Sequence, residues 1–399
     1  MKLEKYRLLL STIIPVYRHE GRFYTNKLWW RDLEEQLSTV DQLCLVAPEG
    51  NQFPTGQVQL DSSIRVITSD QILSLEKAKE LVKDYDVVQV ASGVPWWQML
   101  TTLRLSSAAK KRNKCLILSI SSNRYRTTLL NAKKKSLLRR LYASWKALQI
   151  KWTQNWLISI ADGVFVTGKG LLPLVKERHS NVHIGTASWI RRSEILPTAA
   201  VNTKITTIHK RCEYSLCIAT RFEPMKGVHL GIKAFAILRR RQIEKDIRLV
   251  IMGSGNEYSA LCQNIEELDL SDFVKFVGTF DYPQPFLSEI SKHDIMLLTN
   301  LNDEQPRIIF DAASQGVIPV CPDFEAYRDF NFPEALFYQR GNAESLAKVI
   351  ENLLSSGNMA NLIQQILQIS NNFTINEMHE KRKSWISSTL DLKNKNSII

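Results

Sequence analysis

Residues 294–321 read DIMLLTNLNDEQPRIIFDAASQGVIPVC. The apolar runs at the two ends, 294–299 and 317–321, have the length and composition of strands buried on both faces. Between them Asp303 and Asp311 stand eight positions apart, and Pro306 and Arg307 open a helix of small residues that contains the second acid. Strand, acidic turn, helix and strand make one βαβ unit. An acidic turn in that place either caps the helix or grips a ligand.

The same alternation extends in both directions. Strands are expected at 7–14, 42–47, 64–68, 86–91, 114–120, 163–167 and 183–187, then at 214–220, 248–253, 273–278, 294–299, 317–321 and 336–339, with helices such as 227–240 and 257–268 between them. Repeated twice, the pattern predicts two doubly wound α/β domains, which 399 residues are enough to fill. The polar stretch 191–211 reads as the linker, the tail 376–391 as a helix, and the last eight residues as frayed. Ligands of open α/β sheets bind beyond the carboxyl ends of the strands, so chemistry is sought just after each strand.

Composition narrows the classes. Hydrophobic residues make up 44% and charged residues 23%, as in ordinary globular chains. No apolar run reaches the roughly 18–20 residues of a membrane span. The opening MKLEKYRLLLSTIIPVY contains Pro15 and reads as a first buried strand rather than a leader. Six cysteines include no C-x-x-C pair, and several sit in apolar runs, which reads as buried thiols in a reducing compartment. No His, Cys and acid cluster has metal-ligand spacing, so no metal is expected. Charge is uneven: residues 1–200 hold 30 Lys and Arg against 16 Asp and Glu, and no acid lies between Asp86 and Asp162. That imbalance points to an anionic partner for the first half, and no nucleic-acid motif accompanies it.

In the second half, Arg221 and Lys226 follow a strand and flank a turn where a helix begins, a setting that suits a diphosphate or leaves two solvated cations. Gly253 and Gly255 end the next strand, letting backbone approach a ligand or merely turning the chain. Thr279 and Phe280 follow a third strand, where a nucleobase can lie or the chain simply exits. Around 302–311, backbone N–H groups near Gln305, Pro306, Arg307 and Ile308 can hold phosphate oxygens, and the carboxylates can accept hydrogen bonds from sugar hydroxyls.

The ordered series RFEPMKG (221–227), VIMGSG (250–255), VKFVGTF (274–280) and DEQPRIIFDAASQGVIPV (303–320) resembles the donor half of the GT-B glycosyltransferases, in particular glycosyltransferase family 4, over residues 214–325. ADGVFVTGKG (161–170) is similar to the last strand region of that family's first domain. The resemblance implies an α/β GT-B fold of two Rossmann-like, doubly wound domains facing a central cleft. It implies an acceptor-binding domain over 1–195, a donor-binding domain over 205–375, and a terminal helix and tail over 376–399 that can cross back to the first. Arg221 and Lys226 take the place of the pair that neutralises the diphosphate. Asp303 takes the place of the acid on the transferred sugar, and Asp311 of the acid on the ribose. The family's E-x7-E is D-x7-D here, and its Gly-rich turn is replaced by Glu304, Gln305, Pro306 and Arg307, with Glu304 positioned to compete for the sugar.

The first half then reads as the acceptor side. His19, beside Gly21, is either a proton-handling group or an ordinary loop histidine. Trp96 and Trp97 either wall an acceptor site or pack a helix, and Asn123 and Arg124 follow a further strand. Residues 129–152 form a basic helix with Leu and Trp three, four or seven apart, which fits an anionic membrane surface or an apolar stripe turned toward the sheet. The resemblance implies a retaining, metal-independent glycosyltransferase without a cofactor. Its partners would be a nucleotide-sugar donor and a saccharide or lipid-linked acceptor, in cell-surface polysaccharide or glycolipid synthesis. It is expected in the cytoplasm, peripheral on the inner face of the membrane. The alternatives are a non-catalytic scaffold on the same frame and a nucleotide-sugar epimerase.

Overall fold

The computed structural model describes residues 5–132, 136–208, 210–241, 245–303, 305 and 307–396. The chain divides into two units, Met1–Thr186 with Asn376–Ile399, and Ala187–Ile375.

Unit 1 contributes β1 (Arg7–Ser11), β2 (Tyr17–His19), β3 (Arg22–Asn26), β4 (Gln42–Ala47), β5 (Gln57–Gln59), β6 (Arg65–Thr68), β7 (Val87–Ala91), β8 (Cys115–Ile120), β9 (Gly163–Thr167) and β10 (Val182–Gly185). Seven of these form a parallel sheet in the order β10-β9-β8-β7-β1-β4-β6. Helices cover both faces of such a sheet, so Leu8, Leu9, Leu43, Leu45, Val88, Leu116 and Leu118 are all fully buried. The chain runs outward from β1 through β4 to β6, then restarts at β7 on the other side of β1. That reversal leaves a crevice at the carboxyl ends of β1 and β7.

Three corrections to the sequence reading arise here. The stretch after β1 is a hairpin, β2 and β3, joined by β5 into an antiparallel sheet. Its Glu20-Gly21 turn has both φ angles positive, a conformation that asks for glycine at one position at least. The basic segment is two helices, Arg124–Ala132 and Leu137–Ile160, and its Lys133–Lys135 lie outside the described residues. The last helix, Ile375–Asn396, continues well past the expected fraying point. It docks in unit 1 through Arg382 to the Gln89 amide oxygen (2.6 Å), Trp385 Nε1 to Asn181 Oδ1 (2.8 Å) and Lys393 to Asp162 (2.8 Å).

Unit 2 carries β11 (Glu213–Ala219), β12 (Asp246–Met252), β13 (Val274–Gly278), β14 (Ile295–Leu297), β15 (Ile318–Pro322) and β16 (Phe337–Tyr338), a parallel sheet in the order β13-β12-β11-β14-β15-β16. Its reversal lies between β11 and β14. The polar stretch expected as a linker contains the helix Thr198–Ile208. Thr-rich composition disguises it, yet Val201, Ile205 and Ile208 recur four and three apart and pack on the core. The amide of Leu196 donates to the Ser314 carbonyl (2.9 Å), which ties this segment to unit 2.

At the carboxyl ends of β11 and β14 two loops are fastened together. The Leu301 amide donates to the Met225 carbonyl (2.9 Å), and the Thr299 hydroxyl to the Lys226 carbonyl (2.7 Å). Gly227 sits at φ 62°, and a Cβ there would lie 2.2 Å from the Thr299 carbonyl oxygen. Gly227→Ala therefore adds a left-handed penalty to a backbone clash, about 2–4 kcal/mol together. Thermal denaturation is expected to show a fall of roughly 5–10 °C; an unchanged melting temperature would show that the loops part freely.

At the opposite edge a group of polar side chains is gathered and largely paired, although His293 Nε2 has no hydrogen-bond partner among the described residues. Lys204 donates to the carbonyls of His293 (2.8 Å) and Ser291 (3.2 Å), Asp294 pairs with Arg211 (2.9 Å), and His293 Nδ1 lies 2.7 Å from the Ser215 hydroxyl. Burial holds the His293 pKa down to about 4, from 6.5. The unfolded chain thus takes up this proton first as pH falls, and stability declines between pH 6.5 and 4. The loss is about 3 kcal/mol by linkage. Urea titrations across that range should show it, and His293→Asn should flatten the slope; equal slopes would assign the acid sensitivity elsewhere.

Candidate active site

The crevice of unit 2 gathers four loops. Phe222, 1% exposed, anchors the first, with its ring against Phe276 and Tyr258. Its amide donates to the Ser254 carbonyl (2.8 Å), and Gly253 and Gly255 let the second loop come this close. A Cβ on Gly253 would meet the Thr220 carbonyl at 1.9 Å, and one on Gly255 the Phe222 backbone at 2.5 Å. These two glycines serve loop-to-loop packing at least. Anchoring Phe222 leaves Arg221 on the outside, 74% exposed, its guanidinium 2.9 Å from Glu223. Lys226 is half-buried at the entry to the helix Val228–Arg240, where the Leu230 amide donates to the Gly227 carbonyl (2.8 Å). Thr279 is exposed and Phe280 half-buried, packed on the core beyond β13.

The two acids of the opening stretch have different environments. The Asp303 carboxylate accepts the amide of Ala326 at 3.1 Å, so it caps the short helix Glu325–Arg328 rather than its own. It also lines a cavity of about 700 Å³, with Glu325, Gln339 and Arg340 among its walls. There Arg328 is held by Asp323 (2.8 Å) and Glu334 (2.9 Å). Asp311 is 5% exposed within the helix Ile308–Ser314 and takes a hydrogen bond from the Tyr282 hydroxyl at 3.2 Å. Arg307 lies over the Trp189 ring at 3.8 Å, and Trp189 meets Tyr282 edge-on. Gln305 accepts the Ala187 amide (3.2 Å), while its Nε2 and Asn302 Oδ1 are buried with no hydrogen-bond partner among the described residues. Glu304 and Pro306 lie outside the described residues.

Sequence reasoning missed Tyr282, Trp189 and the Ala326 amide. The first follows a strand end, as the other candidates do, within TFDYPQPF. Nothing in the sequence marks the other two. No three His, Cys, Asp or Glu side chains among the described residues come together as a metal would require.

In unit 1, Trp96 (68% exposed) and Trp97 (49%) open the helix Trp96–Lys111 just beyond β7. Asn123 accepts the Arg126 amide (3.1 Å) beyond β8, and Arg124 lies across Gly93, where a Cβ would be 2.7 Å from its Cγ. The loops after β7 and β8 thus meet. His19 is exposed on β2, 3.9 Å from Glu20, and Gly21 serves the hairpin turn.

The helix Leu137–Ile160 settles which way its apolar residues point. Leu137, Leu138, Leu141, Tyr142, Trp145, Leu148 and Trp152 are all more than half exposed, whereas Ala147, Ile150, Leu157 and Ile158 are buried. At 1.5 Å per residue this helix is ~36 Å long, against ~20 Å for a six-residue strand. Its carboxyl end precedes β9, so its first half runs past the carboxyl edge of the sheet, and it packs against the helix Arg124–Ala132. No helix of the described residues is long and apolar enough to cross a membrane.

Comparison with known proteins places this architecture. Residues 207–366 match the family described as glycosyl transferases group 1. A lipopolysaccharide core biosynthesis glycosyltransferase, LpsE of Rhizobium meliloti (strain 1021), is 26% identical over 141 residues, 35% of this chain and only 39% of that relative's length. Sucrose-phosphate synthase from Thermosynechococcus elongatus superposes with a TM-score of 0.68 at 14% identity, over 97% of this chain and all of that one. Anabaena HepE, crystallised with UDP, gives 0.67 at 13% identity over 96% and 100%. The chain has the GT-B fold, and its residues 207–366 match the glycosyl transferases group 1.

Proposed function

We propose that the protein is a glycosyltransferase that moves a sugar from a nucleotide-sugar donor to a saccharide or lipid-linked acceptor, in cell-surface polysaccharide or glycolipid synthesis. The observation that carries this reading is the fastened pair of loops at the β11/β14 crevice, which holds Lys226 and Arg221 beside a helix entry. Such a site suits a diphosphate. The family match over the same residues supports it, as does the likeness to a protein crystallised with UDP.

In this reading the bond that breaks leaves negative charge on the diphosphate. Arg221 and Lys226 stabilise that charge, the role a divalent ion fills elsewhere. Arg221 must exchange Glu223 for a phosphate oxygen, while Lys226 has no carboxylate to leave among the described residues. Asp303 keeps one carboxylate oxygen on Ala326 and offers the other to a sugar hydroxyl, beside a cavity with room for it. Asp311, oriented by Tyr282, is the acid for the ribose. We infer transfer with retention of configuration and without a bound metal, following the resemblance of the four motifs.

Thermal stabilisation by a panel of nucleoside diphosphates tests the site. One nucleotide should raise the melting temperature, and Lys226→Ala should weaken its binding roughly 10–100-fold. Asp303→Asn keeps an acceptor for Ala326, so nucleotide binding should survive while transfer falls about 100-fold or more. No stabilisation by any nucleotide would instead favour a non-catalytic scaffold.

The overhanging helix supports a peripheral position on an anionic membrane surface at the cytoplasmic face. Its exposed Leu and Trp supply the apolar face, and Arg139, Arg140 and Lys146 supply charge. Vesicles containing anionic lipid should float the protein, neutral ones far less. Replacing Trp145 and Trp152 by Ser should weaken binding about tenfold or more; flotation indifferent to both lipid charge and these tryptophans would remove the membrane from this account.

A further inference from the structure

The antiparallel sheet of unit 1 has an outer face of unusual composition. Tyr17 and Tyr24 are directly opposed across the hairpin, as are His19 and Arg22, and Tyr24 is opposite Gln59 of β5. Alternation along a strand puts Tyr17, His19, Arg22, Tyr24 and Gln59 on one face. The other face carries Phe23, which packs on the core, and Thr25, which is fully buried. A face turned away from the core is ordinarily polar; this one is aromatic.

Phe53, from the loop after β4, completes it. Its ring centroid is 5.1 Å from those of Tyr24 and His19 and 6.2 Å from that of Tyr17, with both tyrosines nearly perpendicular to it. The group is built rather than accidental. Gly50 has no side chain where a Cβ would lie 2.2 Å from the Tyr17 ring, and its amide donates to the Val16 carbonyl at 2.8 Å. Val16 in turn donates to the Pro48 carbonyl at 2.9 Å, which seats the hairpin on the loop following β4. Yet Phe53 remains 46% exposed and the His19 side chain 55%. A polar edge borders the rings, where Arg22 donates to Gln59 at 3.1 Å; Arg18 belongs to the other face, over the Phe23 ring.

Rigid aromatic faces beside a polar edge match one class of ligand. A pyranose ring has a flat side of C–H groups, which the electron-rich face of an aromatic ring attracts, and an edge of hydroxyls that need donors and acceptors. An acyl chain would make no use of the Arg22 and Gln59 side chains beside the rings, and a nucleic acid would find Arg22 as the one Lys or Arg that strand alternation places on this face. The sheet follows β1, the strand on one side of this unit's crevice, so the platform belongs to its ligand-binding edge. We propose that Tyr17, His19, Tyr24 and Phe53 form a saccharide-binding platform that seats a pyranose ring of the acceptor. Its meaning as an acceptor subsite rests on the glycosyltransferase reading; binding itself does not.

Saturation-transfer NMR on the full chain tests this, using methyl β-D-glucopyranoside, methyl β-D-galactopyranoside and methyl α-D-mannopyranoside as probes. Sorbitol, which has the hydroxyls but no ring face, is the control. At least one glycoside should receive saturation at its ring C–H protons and sorbitol should not. Phe53→Ala and His19→Ala, both at exposed positions, should each reduce the transfer about fivefold or more with an unchanged melting temperature. No transfer to any glycoside, or equal transfer in both variants, overturns the platform. Nucleotide stabilisation, read separately on the same samples, keeps the two readings apart. Its absence alongside intact glycoside transfer would defeat the donor reading and leave the platform standing.

Discussion

The carbonyl oxygen of Thr299 and the missing side chain of Gly227 occupy the same small volume, and much of unit 2 depends on that sharing. Because nothing projects from Gly227, the loop after β11 can lie against the loop after β14 and exchange hydrogen bonds with it through Met225 and Lys226. Once seated, Met225 and Lys226 have little freedom, and the helix that follows begins at a fixed place. The second loop then carries Asn302 and Asp303 outward from the same seam. A residue with a Cβ at 227 would disturb cation and acid together, though they are far apart in sequence.

The two acids that open the sequence problem are separated by burial rather than by type. Asp303 faces a cavity and has an amide to hold, whereas Asp311 is enclosed and aligned by a phenol. A buried carboxylate hydrogen-bonded by a tyrosine is kept in a defined orientation.

Most strands were legible because parallel strands covered on both faces must be apolar nearly throughout, as Leu8–Leu10 and Leu116–Leu118 are. The place of the candidate site was arguable from sequence for a related reason, since chain reversals in such sheets leave crevices at predictable strand ends. What escaped was of two kinds. The helix Thr198–Ile208 has weak local propensity and exists because Val201, Ile205 and Ile208 find a core to cover. Partners such as Tyr282 for Asp311 and Ala326 for Asp303 lie 29 and 23 residues away, and no local pattern encodes them. The basic helix is the instructive middle case. Its period was plain, but a period says only that one face is apolar, and whether that face meets a sheet or solvent depends on how far the helix outruns the strands.

The docking of the helix Ile375–Asn396 onto unit 1 has a consequence for the order of events during synthesis. Gln89, Asn181 and Asp162 are made early, yet their partners Arg382, Trp385 and Lys393 emerge only after all of unit 2. The first-made unit therefore emerges with Gln89, Asn181 and Asp162 lacking these partners, while the second can close its core from residues already contiguous. In this chain the half that is translated first is the half that is finished last.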